Sequence, residues 1–166
     1  MKILVAEDET LIRLDLRAIL ERQGFTVCAE ARDGLEAVEL ARSAQPDIAL
    51  LDMRMPGLDG IEAARRIYAE RPLPIVMLTA FRDRKTVERA VDAGVFGYLL
   101  KPFREGDLAP ALHAAAARHR ELLSARRRLG ADPPRRIEVR LPSRTGHAWP
   151  LRIDRNEDGS LDIRGA

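Results

Sequence analysis

Three acids in succession, Glu7-Asp8-Glu9, follow the apolar run Lys2-Ile-Leu-Val-Ala6, where like charges repel unless something holds them together. Asp52 follows Ile48-Ala-Leu-Leu51 in the segment L-L-D-M-R-M-P-G-L-D-G, Thr79 follows Ile75-Val-Met-Leu78, and Lys101-Pro102 follows Tyr98-Leu-Leu100. Each chemistry-bearing residue thus stands just after a short apolar run. If those run ends meet, Glu7, Asp8 and Asp52 form a carboxylate cluster whose full ionisation costs free energy and raises some of its pKa values. A hard divalent cation removes that repulsion, and an ion that keeps several waters beside two or three carboxylate oxygens describes Mg²⁺. A hydroxyl, an ammonium and a metal around one carboxylate make a donor set for the equatorial oxygens of a phosphoryl group. The residue types therefore point to Asp52 as a nucleophile that forms an aspartyl phosphate, with Thr79 and Lys101 at its sides.

The positioning elements are legible. The runs at 2–6, 25–29, 48–51, 75–78 and 98–100 are too short for buried helices and largely unbroken by polar residues, as expected of strands covered on both faces of a parallel sheet. Between the first two, Ile12, Leu16, Ile19 and Leu20 recur at helical spacing and Gly24 supplies a left-handed stop. Asp33 with Glu36 and Asp59 with Glu62 have capping-box spacing, Pro46 bars the second helix from continuing, and Gly94 closes a fourth helix at about 84–92. Glu9 is expected in the first turn of helix one, where the macrodipole favours an anion. Five β-α units imply an α/β, flavodoxin-like, doubly wound five-stranded parallel sheet in the order 2-1-3-4-5, with ligands bound beyond the carboxyl ends of strands one and three.

A long fifth helix is expected from Glu105 or Asp107 towards Leu129, with Pro110 tolerated in or near its first turn. Its 4-3 pattern carries His119 and Arg126 in the seam, which favours packing on the parent domain over self-association. Gly130-Ala-Asp-Pro-Pro134 reads as a linker. Beyond it the period becomes two: Ile137, Val139 and Leu141, then Trp149, Leu151 and Ile153, then Leu161 and Ile163 predict a three-stranded antiparallel meander, turned at Asp158-Gly159. The apolar face of such a sheet needs a cover, and the mixed signs on its other face favour cross-strand ion pairs.

At the four strand ends the sequence strongly resembles the receiver domain of two-component response regulators, over roughly residues 1–120. The match includes Glu7-Asp8, Asp52 in its L-D-M-R-M-P-G-L-D-G context, Thr79-Ala80, Tyr98 and Lys101-Pro102. The resemblance implies that Asp52 accepts a phosphoryl group from the phosphohistidine of a sensor histidine kinase or phosphotransfer protein. Mg²⁺ would be held by Glu7 or Asp8, Asp52 and the backbone carbonyl of Arg54. It further implies that Thr79 and Lys101 contact the phosphoryl group, that Lys101-Pro102 is cis, and that Tyr98 is a rotameric switch that turns inward when Thr79 moves. The surface of helix four, strand five and helix five would then change. Such a protein assists its own phosphorylation and dephosphorylation without being a turnover enzyme.

Residues 79–112 are most similar to receivers of antitermination regulators that carry an RNA-binding ANTAR domain, but the linker and meander do not match that helical module. The organisation expected is a receiver at 1–120, a helix extension and linker at 121–134, and a β appendage at 135–166. Residues 118–166 hold 12 Arg against 7 acids, whereas residues 1–117 carry 16 bases against 19 acids. The basic balance lies in the tail, so a nucleic-acid-binding transcription regulator using the long helix and Arg126-Arg-Arg128 is the alternative reading. Homodimerisation through the helix four–strand five–helix five face or the tail stays open. Other users of this sheet fit less well: a flavodoxin needs a Ser/Thr/Gly-rich cradle after strand one, a Walker-type enzyme needs G-x-x-x-x-G-K-[ST], and a haloacid dehalogenase-type phosphatase places its nucleophile in D-x-D after strand one. No run nears the ~18 apolar residues of a membrane span, which makes the cytoplasm the expected location. Cys28 alone excludes an internal disulfide, and the three histidines lack metal-ligand spacing.

Overall fold

The computed structural model describes the backbone of residues 1–80, 93–129, 136–141, 149–155 and 161–165, and the side chains of 1–80 and 93–126. The helix expected at about 84–92, the linker at 130–134 and the Asp158-Gly159 turn lie outside the described residues.

Five parallel strands, β1 (Lys2–Ala6), β2 (Thr26–Ala31), β3 (Ile48–Asp52), β4 (Ile75–Thr79) and β5 (Val95–Leu100), form one sheet in the order β2-β1-β3-β4-β5. The order inferred from the alternating runs is the order observed. Helices α1 (Thr10–Arg22), α2 (Gly34–Ala44) and α3 (Gly60–Glu70) connect the first four strands, and a long helix spans Glu105–Leu129. Alternate strand residues feed opposite faces. Ile3, Val5, Ile48, Leu50, Val76, Leu78 and Leu99 share one core cluster with Leu16, Ile19 and Leu20 of α1 and Leu108, Leu112 and Ala115 of the long helix. Leu4, Ala49, Leu51, Ile75 and Met77, of the other parity, are fully buried as well. Burial on both sides explains why these runs show no alternation.

The ends of the helices follow local chemistry. Gly24 has φ +82, a left-handed conformation that glycine adopts without a Cβ penalty, and it terminates α1. Asp33 Oδ1 accepts from Glu36 N at 2.9 Å and Asp59 Oδ1 from Glu62 N at 2.8 Å, so both aspartates cap. The boxes close differently from the expected reciprocal pattern. Glu36 reaches the N–H of Arg32, one residue before the cap, and Glu62 pairs with Arg65 and Arg66 instead. Glu9 is the N-cap of α1 rather than a first-turn residue. The long helix starts at Glu105, which puts Pro110 in its second turn and removes a bond to the Gly106 carbonyl.

The chain divides into two compact units, Met1–Ala116 and Ala117–Ala166. The second contains the remainder of the long helix and an antiparallel sheet of β6 (Arg136–Leu141), β7 (Trp149–Arg155) and β8 (Leu161–Gly165) in the order β6-β7-β8. The register sets Ile137 opposite Ile153, Val139 opposite Leu151 and Ile153 opposite Ile163, as the period of two requires. In the backbone register of β6 and β7, Arg136 stands opposite Asp154 and Glu138 opposite Arg152. In that of β7 and β8, Arg152 stands opposite Arg164 and Asp154 opposite Asp162. No helix among the described residues is long and apolar enough to cross a membrane.

Candidate functional site

Parallel strands end together, so the residues after β1, β3, β4 and β5 meet at one edge of the sheet. Asp52 is the last residue of β3, with Leu78 beside it on β4, and Thr79 ends β4. The loop after Asp52 is fixed by its backbone: Met53 N donates to the Leu78 carbonyl at 2.9 Å and Gly60 N to the Met53 carbonyl at 3.0 Å. Gly60 is needed for this approach, because a Cβ there would stand 2.0 Å from the Asp52 carbonyl oxygen. Gly60→Ala is therefore expected to lower the unfolding free energy by about 3 kcal/mol, since the obstructing atom is backbone and the gain in helix propensity offsets only about 1 kcal/mol. Denaturant midpoints of the two proteins measure the loss.

Carboxylate oxygens of Glu7, Asp8 and Asp52 all lie within 4.8 Å of one another. Glu7 and Asp52 are buried, while Asp8 is exposed. The Lys101 ammonium stands between the buried two, 2.7 Å from Glu7 Oε2 and 2.9 Å from Asp52 Oδ1. One ammonium against three carboxylates leaves two negative charges uncompensated within this group, the charge of one divalent cation. The donors are all hard oxygens, as Mg²⁺ requires.

The electrostatics of the pair are asymmetric. Burial pushes the Glu7 carboxyl above the usual carboxylate range. The hydrogen bond from Lys101 pulls it back only in part, and the negative charge of Asp52 pushes it further up. For Lys101 burial is the largest single influence and lowers its pKa. The hydrogen bonds and charges of Glu7 and Asp52 together outweigh it, leaving the ammonium more firmly protonated than usual.

Thr79 is buried at the end of β4, and its hydroxyl donates to Met53 Sδ at 3.4 Å. Lys101 N donates to the Thr79 carbonyl at 2.8 Å, and Lys101-Pro102 is cis, as the resemblance implied. Arg54 lies exposed in the loop after β3. Tyr98, opposite Met77 in the sheet, is only 7% exposed, and burial raises the pKa of its phenol. The structure thus brings Glu7, Asp8, Asp52 and Lys101 into direct proximity and sets Thr79 on the adjoining strand end. The helix four part of the expected switching face is outside the described residues.

Two residues at this site were not singled out by sequence. Arg13 Nη1 donates to the Glu7 backbone carbonyl at 2.6 Å, with its Nε 4.0 Å from Glu30. A cation this early in α1 opposes the macrodipole, and that conflict was a readable signal. Met53 looked like an ordinary apolar residue, and nothing in its spacing reveals the contact of its sulfur.

Residues 3–113 match the family description of the response regulator receiver domain. The transcriptional regulatory protein PdtaR of Mycobacterium tuberculosis strain H37Rv is 51% identical over 121 residues, 73% of this chain and 59% of that protein. A protein-glutamate methylesterase/protein-glutamine glutaminase of Myxococcus xanthus is 38% identical over 154 residues, 91% of this chain and 41% of that protein. The chain thus spans less than two thirds of either relative's length. Among solved structures, the signal receiver domain of a modulated diguanylate cyclase from Desulfovibrio desulfuricans superposes with a TM-score of 0.67 at 36% identity, covering 72% of this chain and 96% of that one.

Proposed function

The chain belongs to the response regulator receiver family, and we propose that it is a phosphorylation-activated regulator of the two-component type with Asp52 as its phosphoacceptor. The observation that carries this reading is the Lys101 ammonium held at 2.7 and 2.9 Å between two buried carboxylates beside a third, exposed one. Asp52 attacks phosphorus as the phosphohistidine of a sensor kinase or phosphotransfer protein approaches. An oxygen–phosphorus bond forms, the nitrogen–phosphorus bond breaks, and the imidazole leaves with the electron pair. Lys101 is a fixed positive charge for the oxygens of the phosphoryl group, and Thr79 offers its hydroxyl to one of them. Glu7, Asp8, Asp52 and the carbonyl of Arg54 are the group that would hold Mg²⁺, which supplies the charge neutralisation that lets an anionic donor approach an anionic acceptor.

Phosphorylation adds charge at Asp52, by analogy with the ~−1.5 to −2 of hydroxyl phosphates, and draws on Thr79, with Tyr98 responding on the neighbouring strand. On this reading the protein is a phosphoacceptor, not a turnover enzyme, and works in the cytoplasm. Partners that prefer one form, including a second copy, read a face that includes strand five and the start of the long helix. The reading is tested by incubation with acetyl phosphate and Mg²⁺ followed by peptide mapping of the acyl phosphate. Label on the peptide containing Asp52 supports it, and label elsewhere overturns it.

The basic balance of residues 118–166 favours one second reading, nucleic-acid binding through the long helix. If it holds, mobility of short RNA or DNA shifts at low salt, the shift weakens steeply as salt rises, and Arg126→Ala combined with the same change at Arg127 and Arg128 removes it. An unshifted probe at low salt discards this reading and leaves the first intact.

A further inference from the structure

We infer that Met53 is a positioning residue for the phosphoryl switch: its thioether holds the Thr79 hydroxyl in the resting state and must give that hydroxyl up when Asp52 is charged. The inference rests on the assignment of Asp52 and Thr79 above. Thr79 Oγ1 donates to Met53 Sδ at 3.4 Å. Thr79 is 4% exposed and Met53 8% exposed, so water offers little competition for this contact.

Met53 directly follows the acceptor. Its backbone is tied on both sides, its N–H to Leu78 and its carbonyl to Gly60 N, and the sulfur can leave Thr79 only by side-chain rotation. Methionine has three such rotations, and its sulfur is a weak acceptor. A phosphoryl oxygen is a charged and much stronger one. Exchange of sulfur for oxygen therefore runs downhill, but by less than if the hydroxyl had no resting partner at this position. The thioether thus sets both where the hydroxyl waits and how much of the phosphoryl contact appears as net affinity.

Leucine at this position has similar volume and no acceptor, so Met53→Leu should fold with little loss. Apparent affinity for beryllofluoride, measured by titration at saturating Mg²⁺, should tighten about threefold, from the net worth of a weak hydrogen bond. Met53→Ile, which also lacks the sulfur, should tighten likewise if leucine packs poorly. The Thr79 γ-methyl resonance should differ between wild type and Met53→Leu in the ligand-free proteins and coincide in their beryllofluoride complexes, a convergence that a packing effect alone does not produce. Affinity that is unchanged or weaker in both variants, or a methyl difference that persists in the complexes, overturns the inference. If wild type binds no beryllofluoride, the assignment of Asp52 falls and the role of Met53 falls with it. If wild type binds and the variants match it, only Met53 loses its role.

Discussion

Asp52→Asn should leave the chain folded and deaf to phosphoryl analogues. Asparagine has nearly the shape of aspartate but neither its charge nor a nucleophilic oxygen, so neither an acyl phosphate nor its beryllofluoride mimic can form at this position. Wild type with Mg²⁺ and beryllofluoride should show a spectral change, and its affinity for the analogue should fall by roughly 100-fold or more in the variant, the scale expected when a central charged partner is deleted. Stability in chelator should move little. The variant loses the Asp52–Lys101 contact at 2.9 Å, but it also relieves the repulsion of Asp52 on Glu7. These opposed effects should leave the unfolding free energy within about 1 kcal/mol of wild type. Glu9→Gln, at an exposed acid that caps α1 without a side-chain hydrogen bond, should keep the full response. A response of Asp52→Asn equal to that of wild type would move the acceptor elsewhere.

Sequence revealed this site because a parallel sheet converts a one-dimensional pattern into a place. Strands that run the same way end at the same edge, so a reactive residue following each apolar run is enough to predict a cluster, whatever lies between. That logic placed Glu7, Asp52, Thr79 and Lys101 without any distance. It fails for contacts made by side chains that the pattern classes as filler. Met53 and Arg13 touch the site through a sulfur and a guanidinium reaching back to a neighbouring loop, and neither reach is encoded in spacing. Strand limits blurred where polarity gave no edge: β5 begins at Val95 rather than 98, because Phe96-Gly97 does not read as a strand opening, and β2 runs on to Ala31 through the charged Glu30. In the meander the period of two identified the faces but not the register, and register decides that Arg152 stands opposite Arg164 and Asp154 opposite Asp162.

Replacing Lys101 separates the resting electrostatics of the site from its signalling. The ammonium answers two carboxylates at once, and the Glu7 side chain is only 1% exposed, so Lys101→Met leaves a buried acid without its nearest cation. Removal of one partner from a fully buried pair costs about 3–5 kcal/mol. Lys101 keeps 23% of its side chain in water and Glu7 can take up a proton, so the expected loss in chelator at neutral pH is nearer 2–3 kcal/mol. The sign with pH follows from Glu7. Its folded pKa already lies above the unfolded value because of burial, and loss of the Lys101 hydrogen bond raises it further. A group with a raised folded pKa stabilises the fold fully below its unfolded value, and that contribution is lost as pH rises through the folded one. The deficit of Lys101→Met should therefore be widest near neutrality and shrink as pH falls towards the ordinary glutamate range. Urea unfolding at a series of pH values measures it, and a deficit independent of pH would mean that Glu7 is not the group left unpaired. Metal binding should move the opposite way. With no ammonium competing for Glu7 and Asp52, calorimetry should find Mg²⁺ bound at least as tightly as in wild type, while the beryllofluoride response is lost because one fixed positive charge for the phosphoryl oxygens is gone. Weaker Mg²⁺ binding would show instead that Lys101 holds the carboxylates in place for the cation, which would reverse the order of events at the site: ammonium first, metal second.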